Sequence, residues 1–184
     1  MTDQVHIFIQ NGVGRIRLNR PKAIHALTAE MCAAINEALI QWAQHSAVVA
    51  VMIDHFVDPE GDPKLSRGFC AGGDIALLAK SAQTDCVEAE NFFRVEYQMN
   101  HLLFVYAKPI VAFIDGIVMG GGVGLSLPAL YRVATERTMF AMPETGIGLF
   151  PDVGGGWFLS RLPGRTGAWL ATTGARIKGA DVAA

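Results

Sequence analysis

The 184-residue sequence has no apolar run long enough to cross a bilayer, and it has few cysteines: Cys32, Cys70 and Cys86. Three scattered cysteines exclude a disulfide framework and favour a reducing compartment. The first residues have the features of neither a signal peptide nor a transit peptide. The net charge of −2 gives no general attraction to nucleic acid or to a membrane surface. These features predict a soluble, cytoplasmic protein with neither of those partners.

Several motifs of cofactor and metal chemistry are also missing. The sequence contains no G-x-x-x-x-G-K-[ST] and no G-x-G-x-x-G, which disfavours a P-loop enzyme and a nicotinamide dehydrogenase. Its five histidines and three cysteines form no C-x-x-C and no H-E-x-x-H, so no dedicated metal site is expected. Ser126 follows a glycine turn but lacks the second glycine of a G-x-S-x-G elbow, and we expect an ordinary helix residue there.

The composition is that of a globular chain, with 51% apolar and 17% charged residues. Hydrophobic periodicity predicts alternating strands and helices, and this alternation is typical of the α/β class. The predicted elements are a β-hairpin over 5–18 around Asn11-Gly12, a helix over 29–45 capped by Thr28, a strand over 47–53 buried on both faces, a loop over 58–67, helices near 75–80 and over 85–107 (opened by an Asp85/Glu88 capping box), a second buried strand over 110–114, short strands at 131–134 and 139–141, and helices over 154–162 and 166–172.

Two glycine-containing turns follow the two buried strands. The first covers 68–74 and leads into a short helix, and the second covers 116–124 and can start a helix over 119–130. Small residues let backbone N–H groups approach a ligand, and N–H groups at a helix start carry partial positive charge. Taken alone, the first turn is better explained as a tight loop without a ligand, and the second has close packing of helix against strand as its alternative. Two turns after two buried strands indicate related structural units and match the two donors of an oxyanion hole for a thioester carbonyl.

Glu144 and Asp152 lie in a segment with few other charges. Their neighbours are Phe, Ile, Leu and Pro, and burial among such residues raises the pKa of a carboxyl group towards values useful in acid–base catalysis. The alternative is that the carboxylates cap helices, and Asp152 is placed to cap the predicted helix over 154–162. No clear helix follows Glu144, so a functional role is favoured there.

Four segments resemble the enoyl-CoA hydratase/isomerase, or crotonase, superfamily. They are 19–27 (NRPKAIHAL), 69–75 (FCAGGDI), 115–122 (DGIVMGGG) and 142–156 (MPETGIGLFPDVGGG). The resemblance implies a crotonase-like spiral of repeated ββα units and an acyl-CoA substrate. It also implies site residues: the N–H groups of Gly73 and Gly121 as the oxyanion hole, the backbone of Ala71 against the adenine end of CoA, and Gly72 and Asp74 as further substrate-binding residues.

The resemblance also indicates the reaction. Hydratases of this superfamily use two glutamates, and here the matching positions hold Gly124 and Glu144. Residues 149–156 resemble the branch that hydrolyses 3-hydroxyisobutyryl-CoA, which implies hydrolysis of a short 3-hydroxyacyl-CoA thioester and a role in valine breakdown. In that branch Glu144 is the nucleophile or the base that activates water. Asp152 orients the 3-hydroxyl group or assists proton transfer, and Glu96 completes the polar pocket by contacting the substrate.

Two alternatives remain at this level: an enoyl-CoA hydratase or isomerase acting through Glu144 alone, and a non-catalytic acyl-CoA-binding member. No cofactor or metal is implied, because coenzyme A belongs to the substrate, and members often form homo-trimers or hexamers. Superfamily members are longer than 184 residues, and residues 177–184 begin like a helix without a stop signal. We therefore expect a single crotonase-like core domain over 1–184 that lacks C-terminal helices.

Overall fold

A computed structural model describes residues 2–183 of the chain. The strands are β1 (Val5–Gln10), β2 (Val13–Leu18), β3 (Ala50–His55), β4 (Gly68–Cys70), β5 (Ile110–Ile114), β6 (Ile117–Met119), β7 (Tyr131–Ala134), β8 (Met139–Ala141) and β9 (Ile177–Lys178). The α-helices are α1 (Ala29–Gln44), α2 (Ile75–Ala82), α3 (Val87–Phe104), α4 (Gly121–Ser126), α5 (Gly155–Leu159), α6 (Thr166–Thr173) and α7 (Gly179–Ala183), and 3₁₀ turns cover Pro21–Ala23 and Glu144–Ile147.

The predicted hairpin and first helix are confirmed, and the local causes are visible. Asn11 and Gly12 have φ of +52° and +79°, which suits the tight turn that joins β1 to β2. The Thr28 hydroxyl accepts a hydrogen bond from the Met31 N–H at 3.3 Å and so caps α1. Helix α1 then buries one face against the core, with Met31, Cys32, Ile35, Ala38, Leu39 and Trp42.

Two sheets organise the chain. One has the strand order β1-β2-β3-β5-β7 and the other β4-β6-β8-β9, and all neighbours are parallel except β1 with β2 and β8 with β9. Three times a strand of the first sheet is followed by a strand of the second and then by helix: β3–β4–α2, β5–β6–α4, and β7–β8 with the 3₁₀ turn at 144–147. This confirms the α/β class and the repeated ββα units. The repetition brings the turns after β4, β6 and β8 to one place.

Strand β3 differs from the prediction in both position and burial. It covers 50–55 instead of 47–53, because residues 45–48 form a turn in which the His45 carbonyl accepts from the Val48 N–H. The strand extends to include Asp54, whose carboxylate pairs with Arg15 and Arg17 on β2. Burial alternates along β3 and β5, so each covers the core with one face only instead of both.

Several helix boundaries also differ. The predicted Asp85/Glu88 box does not form, because Cys86 adopts φ of +62° and only Asp85 accepts a hydrogen bond, from the Val87 N–H. Helix α3 ends at 104 instead of 107. Helices α4 and α5 are short, ending at 126 instead of 130 and at 159 instead of 162. Residues 177–178 form a strand instead of a helix, and the last residue of the predicted helix over 177–184 lies outside the described residues. Within 2–183, no helix combines the length and hydropathy needed to cross a membrane.

Candidate active site

A cavity of about 280 Å³ opens where the ends of β4, β6 and β8 meet α3. Helix α3 forms one wall, the two glycine turns form a second, and the segment after β8 forms a third. The cavity is lined by Ala71, Gly72, Gly73, Ile75, Leu78, Phe92, Phe93, Glu96, Gly120, Gly121, Pro143, Glu144, Gly146, Ile147, Leu149 and Asp152. Most of the predicted site residues are therefore brought together.

The first glycine turn is held by the segment that precedes α1. The Ala71 N–H donates to the Ile24 carbonyl at 2.9 Å, and two further backbone bonds join Leu27 to Gly72 and Asp74. The Gly73 N–H lies between these bonds and has no acceptor among the described residues. A backbone donor fixed in this way costs little reorganisation when it meets a ligand oxygen.

The second turn places another unpaired N–H beside the first. Gly121 is the first residue of α4, and its N–H also lacks an acceptor within the described part of the chain. A Cβ atom built on Gly121 would lie 3.4 Å from the Gly73 nitrogen and 2.3 Å from Glu96 Oε1. Glycine is thus the residue that lets both amides and the Glu96 carboxyl group approach one point. Two neighbouring backbone donors are what an oxyanion hole needs, and this role for Gly73 and Gly121 stays a prediction.

Glu144 and Glu96 face this point with unsatisfied carboxyl groups. Glu144 is 5% exposed and Glu96 is 2% exposed. In the part of the chain that the structure describes, neither oxygen of Glu144 has a hydrogen-bond partner, and Glu96 Oε1 has none. Burial raises the pKa of Glu144 to about 7. Burial, followed by the charges of Asp152 and Glu144, raises the pKa of Glu96 to about 8. One carboxyl group is therefore poised near neutrality, and the other is mainly protonated there.

Asp152 is held by a tyrosine that sequence reasoning missed. The Tyr97 hydroxyl donates a 2.7 Å hydrogen bond to Asp152 Oδ2. Burial raises the pKa of Asp152, and the hydrogen bond from Tyr97 opposes that shift. The capping alternative fails, because Gly154 is the N-cap of α5 and only the backbone carbonyl of Asp152 accepts from the Gly155 N–H. The signal available in the sequence was the position of Tyr97, directly after Glu96 on the same helix.

The structure also accounts for the glycine at position 124. A Cβ atom there would lie 2.7 Å from both Asn100 Oδ1 and Val153 Cβ. The space is already filled by those two side chains, so a second glutamate has no room on α4. Ser126, two residues on, is the ordinary helix residue that was predicted, with its hydroxyl donating to the Gly122 carbonyl at 3.0 Å.

The remaining predicted substrate-binding residues separate into two groups. Ala71 and Gly72 line the cavity. The Asp74 side chain does not, since it accepts from the Leu77 N–H at the start of α2 and forms an ion pair with Arg20 at 2.9 Å. Its carboxylate is already satisfied by the protein, and its contact with a substrate stays a prediction. Among residues 2–183, no cluster of His, Cys, Asp and Glu could hold a metal ion.

This geometry can polarise a carbonyl group and transfer a proton beside it. Two backbone N–H groups without an acceptor among the described residues lie side by side, and the Glu144 carboxyl group, with a pKa of about 7, lies next to the second glycine turn. Glu144 Oε1 would be 3.2 Å from a Cβ built on Gly120. Such a set suits reactions in which a carbonyl oxygen gains negative charge while a nearby carboxylate acts as base or nucleophile.

Comparison with known proteins gives one family. The family model described as enoyl-CoA hydratase/isomerase matches residues 13–184. Among curated proteins, the 3-hydroxyisobutyryl-CoA hydrolase, mitochondrial, of Danio rerio is 51% identical over 169 residues, and its Homo sapiens counterpart is 48% identical. The small ribosomal subunit protein mS47 of Neurospora crassa is 45% identical over 170 residues, 91% of this chain and 32% of that protein.

Solved structures agree on the fold. A carnitinyl-CoA dehydratase from Mycobacterium thermoresistibile superposes with a TM-score of 0.91 at 44% identity, over 98% of this chain and 51% of that one. An enoyl-CoA hydratase from Rhodobacter sphaeroides 2.4.1 superposes with a TM-score of 0.89, also at 44% identity and with the same coverage.

Two further findings come from the curated hydrolases. The matches to the Danio rerio and Homo sapiens proteins cover 92% of this chain but only 42% of each relative. Both relatives are named as mitochondrial, which contradicts the cytoplasmic location expected from the sequence. That expectation depended on the first residues and on the scattered cysteines, and neither feature reports the compartment of this family.

Proposed function

The chain belongs to the enoyl-CoA hydratase/isomerase family, and from this premise we propose that it hydrolyses a short 3-hydroxyacyl-CoA thioester, of which 3-hydroxyisobutyryl-CoA is the model substrate. The observation that carries the proposal is the Glu144 carboxyl group. It is buried without a hydrogen-bond partner, its pKa is raised to about 7, and it lies in the cavity that the unpaired N–H groups of Gly73 and Gly121 enter.

The two amides act on the thioester carbonyl. Attack on this carbonyl moves an electron pair onto its oxygen, which becomes an oxyanion. Gly73 and Gly121 donate their N–H groups to that oxygen, and the donors are already in place before the charge develops. Preorganised donors of this kind are worth about 10²–10³ in rate for each donor.

Glu144 supplies the attack in one of two ways. As a base, its carboxylate takes a proton from water while the water oxygen bonds to the carbonyl carbon. As a nucleophile, its own oxygen forms that bond and an anhydride results, which water then hydrolyses. In both routes the C–S bond breaks and the thiolate of coenzyme A leaves, taking up one proton. In the base route the new oxygen of the acid product comes directly from water. In the anhydride route water attacks the Glu144 carbonyl carbon, so the product leaves with a Glu144 oxygen and the water oxygen stays in the Glu144 carboxyl group. A pKa near 7 leaves about half of Glu144 ionised at neutral pH.

Glu96 and Asp152 serve the acyl group and its surroundings. Because the pKa of Glu96 is about 8, this side chain is mainly protonated at neutral pH and offers an O–H donor beside Gly121. Asp152, with Oδ2 bound by Tyr97, keeps its other oxygen as an acceptor for the 3-hydroxyl group. Ala71 and Gly72 line the cavity on the side that the family resemblance assigns to coenzyme A.

Hydrolysis is favoured over hydration by position 124. Hydration with two glutamates needs a second carboxylate on α4, and a Cβ atom at Gly124 would already lie 2.7 Å from Val153 Cβ. Addition or removal of water, or movement of the double bond, through Glu144 alone is the first rival, because two solved neighbours are named as a dehydratase and a hydratase.

A non-catalytic member is the second rival. The Neurospora crassa relative named as a ribosomal subunit protein is 45% identical, so overall identity does not separate enzymes from structural members here. The unpartnered Glu144 and Glu96 argue against this rival, because a fold without substrate gains nothing from leaving buried carboxyl groups unpaired.

Release of free thiol from 3-hydroxyisobutyryl-CoA tests the proposal, with crotonyl-CoA as the comparison substrate. We expect release from the first substrate and no loss of the enoyl absorbance of the second. Hydration of crotonyl-CoA without thiol release would favour the first rival. Binding of acyl-CoA without any turnover would favour the second. Repeated turnover in ¹⁸O-labelled water separates the two routes, because label in the Glu144 carboxyl group occurs only through the anhydride.

Three finer statements belong to the same proposal. The substrate places the protein in valine breakdown, its activity needs no cofactor or metal beyond the coenzyme A of the substrate, and it assembles as a homo-trimer or hexamer. The chain spans about two fifths of the length of the curated hydrolases it matches, so the activity of the longer proteins is extended to it only as part of this proposal. The single domain over 1–184 without further C-terminal helices also stays a prediction.

A further inference from the structure

One buried polar side chain near the site has no role in the mechanism above. Asn100 lies on α3 one turn after Glu96, is 9% exposed, and has no hydrogen-bond partner for either Oδ1 or Nδ2 within the described residues. An unpaired buried amide costs about 1–3 kcal/mol. Glu96 and Glu144 share this condition, and both face the substrate cavity.

Asn100 lines a second cleft, next to the first cavity. This cleft has a volume of about 590 Å³, and Asp152 lines both spaces. Its polar side chains include Tyr97, Asn100 and Asp152, and most of the remaining wall is apolar, from Phe104, Pro128, Phe150, Pro151, Val153, Trp157 and Phe158. A small acyl group that reaches past Asp152 from the first cavity therefore meets an apolar wall and one unsatisfied carboxamide.

The chemistry of a hydroxyl group fits the two polar side chains together. An ionised carboxylate only accepts hydrogen bonds, and one oxygen of Asp152 is already taken by Tyr97. A substrate hydroxyl can donate to the other oxygen, and its own lone pairs then need a donor. The carboxamide of Asn100 offers two N–H groups that have no partner among residues 2–183.

We propose that Asn100 determines specificity for the 3-hydroxyl group: its carboxamide donates to the hydroxyl oxygen while that hydroxyl donates to Asp152. This inference rests on the proposed function, which supplies the 3-hydroxyacyl substrate. Gly124 contributes to the placement of Asn100, because a Cβ atom at position 124 would lie 2.7 Å from Asn100 Oδ1. The glycine thus leaves Asn100 the space that a side chain on α4 would occupy.

Two substrates that differ only in the hydroxyl group test the inference. Thiol release is measured with 3-hydroxyisobutyryl-CoA and isobutyryl-CoA, for the wild type, Asn100→Ala and the near-isosteric Asn100→Leu. We expect kcat/KM for the hydroxylated substrate to fall about 10-fold in both variants and that for isobutyryl-CoA to stay within about 2-fold. The preference for the hydroxyl group is then largely lost.

Asn36→Ala is the matched control. Asn36 is a half-buried amide on α1 that donates to the Val95 carbonyl at 3.1 Å and lines neither cavity. Its removal should lower thermal stability and leave the ratio between the two substrates unchanged. An equal loss with both substrates in the Asn100 variants, or an unchanged ratio, would overturn the inference.

Binding separates this inference from the proposed function. In Glu144→Gln protein, calorimetry gives the dissociation constants of the two acyl-CoA thioesters with Asn100 present and with Asn100→Ala. Tighter binding of the hydroxylated thioester that is lost with Asn100→Ala supports the inference even if the wild type releases no thiol. Equal discrimination in both proteins contradicts it, even if the wild type is an active hydrolase.

Discussion

Two regions of this molecule bury carboxyl groups, and they treat them in opposite ways. On the outer face of the five-stranded sheet, Asp54 Oδ1 accepts from Arg17 Nε at 2.9 Å, and Oδ2 accepts from the Arg17 guanidinium at 3.1 Å and from Arg15. At the cavity, the two oxygens of Glu144 and Oε1 of Glu96 have no hydrogen-bond partner among the described residues. The Asp54 side chain is 14% exposed, so it is also largely buried, though less deeply than the two glutamates.

The difference teaches where the fold supplies partners and where it does not. The arginines that hold Asp54 come from the neighbouring strand β2. The register of the two strands already places these side chains together, so the pairing needs no further ordering of the chain. Around the cavity the neighbours are glycine turns and apolar side chains, and the carboxyl groups keep a raised pKa. Buried groups that are left unpaired inside a cavity are candidates for chemistry, and paired ones are candidates for structure.

Replacement of a carboxyl group by an amide in each region gives the largest expected contrast. Glu144→Gln removes the base or nucleophile, and we expect thiol release from 3-hydroxyisobutyryl-CoA to fall at least about 10³-fold. Asp54→Asn, on the far face of the sheet, should leave kcat/KM within about 3-fold. Thiol release at saturating and limiting substrate measures both. A comparable loss of thiol release in the two variants would contradict the assignment of a catalytic role to Glu144 and a structural role to Asp54.

The sequence predicts those parts of the site that are contained in one short segment of the chain. The two glycine turns, Glu144 and Asp152 are each recognisable within a short segment, because an apolar stretch with one carboxylate or a strand followed by glycines is visible in a few residues. The ββα repeat follows from the same alternation. The predicted strand over 47–53 ends two residues before β3 does, because the last residues of β3 include Asp54, a charge that only pairing with another strand explains.

The missed residues all depend on contacts between distant segments. Tyr97 meets Asp152 across 55 positions, and Arg17 meets Asp54 across 37 positions through the parallel register of β2 and β3. Asn100 is recognisable as part of the site only because α3 packs beside Gly124 and Val153. Pairing between parallel strands and packing of a helix on a loop produce no recognisable pattern within a few residues. Only the structure therefore shows these parts of the site.

The same kind of substitution should change stability in opposite directions in the two regions. The pKa of Glu96 is about 8 in the folded chain against an ordinary 4.5, so the folded state holds the proton more tightly. Its contribution is then fully present below the ordinary value and is lost as pH rises through about 8. Glu96→Gln mimics the protonated form, and at pH 9 it should raise the free energy of unfolding by about 1–3 kcal/mol.

At pH 5, close to the ordinary pKa of 4.5, the Glu96→Gln variant should differ from the wild type by less than about 1 kcal/mol. Asp54→Asn should instead lower the free energy of unfolding by about 1–3 kcal/mol at neutral pH, since it leaves the largely buried Arg15 without its carboxylate. Urea unfolding at pH 5, 7 and 9 measures both variants. Destabilisation by Glu96→Gln at pH 9 would contradict the linkage argument.

Tyr97→Phe makes Asp152 resemble the unpaired carboxyl groups. Removal of the 2.7 Å hydrogen bond leaves Oδ2 without a donor, and because that bond opposes the effect of burial, the pKa of Asp152 should rise further. We expect kcat/KM for 3-hydroxyisobutyryl-CoA to fall about 5- to 10-fold, and the fall to be greatest at low pH, where Asp152 becomes protonated. A pH–rate profile of both proteins measures this. A uniform loss at every pH would mean that Tyr97 only packs.

Salt gives the smallest effect and still separates the regions. The side chain of Arg17 is 36% exposed, so mobile ions reach its pair with Asp54, whereas Glu96 as a residue is 2% exposed. From low salt to 1 M the Debye length falls to about 3 Å, and the destabilisation caused by Arg17→Gln should shrink by a few tenths of a kcal/mol. The stability of the wild type should stop falling near pH 8 at both salt concentrations, because burial dominates the pKa of Glu96 and salt does not restore water to a buried group. Equal salt sensitivity in the two measurements would mean that water reaches the cavity carboxyl groups as freely as it reaches the arginines of the outer face.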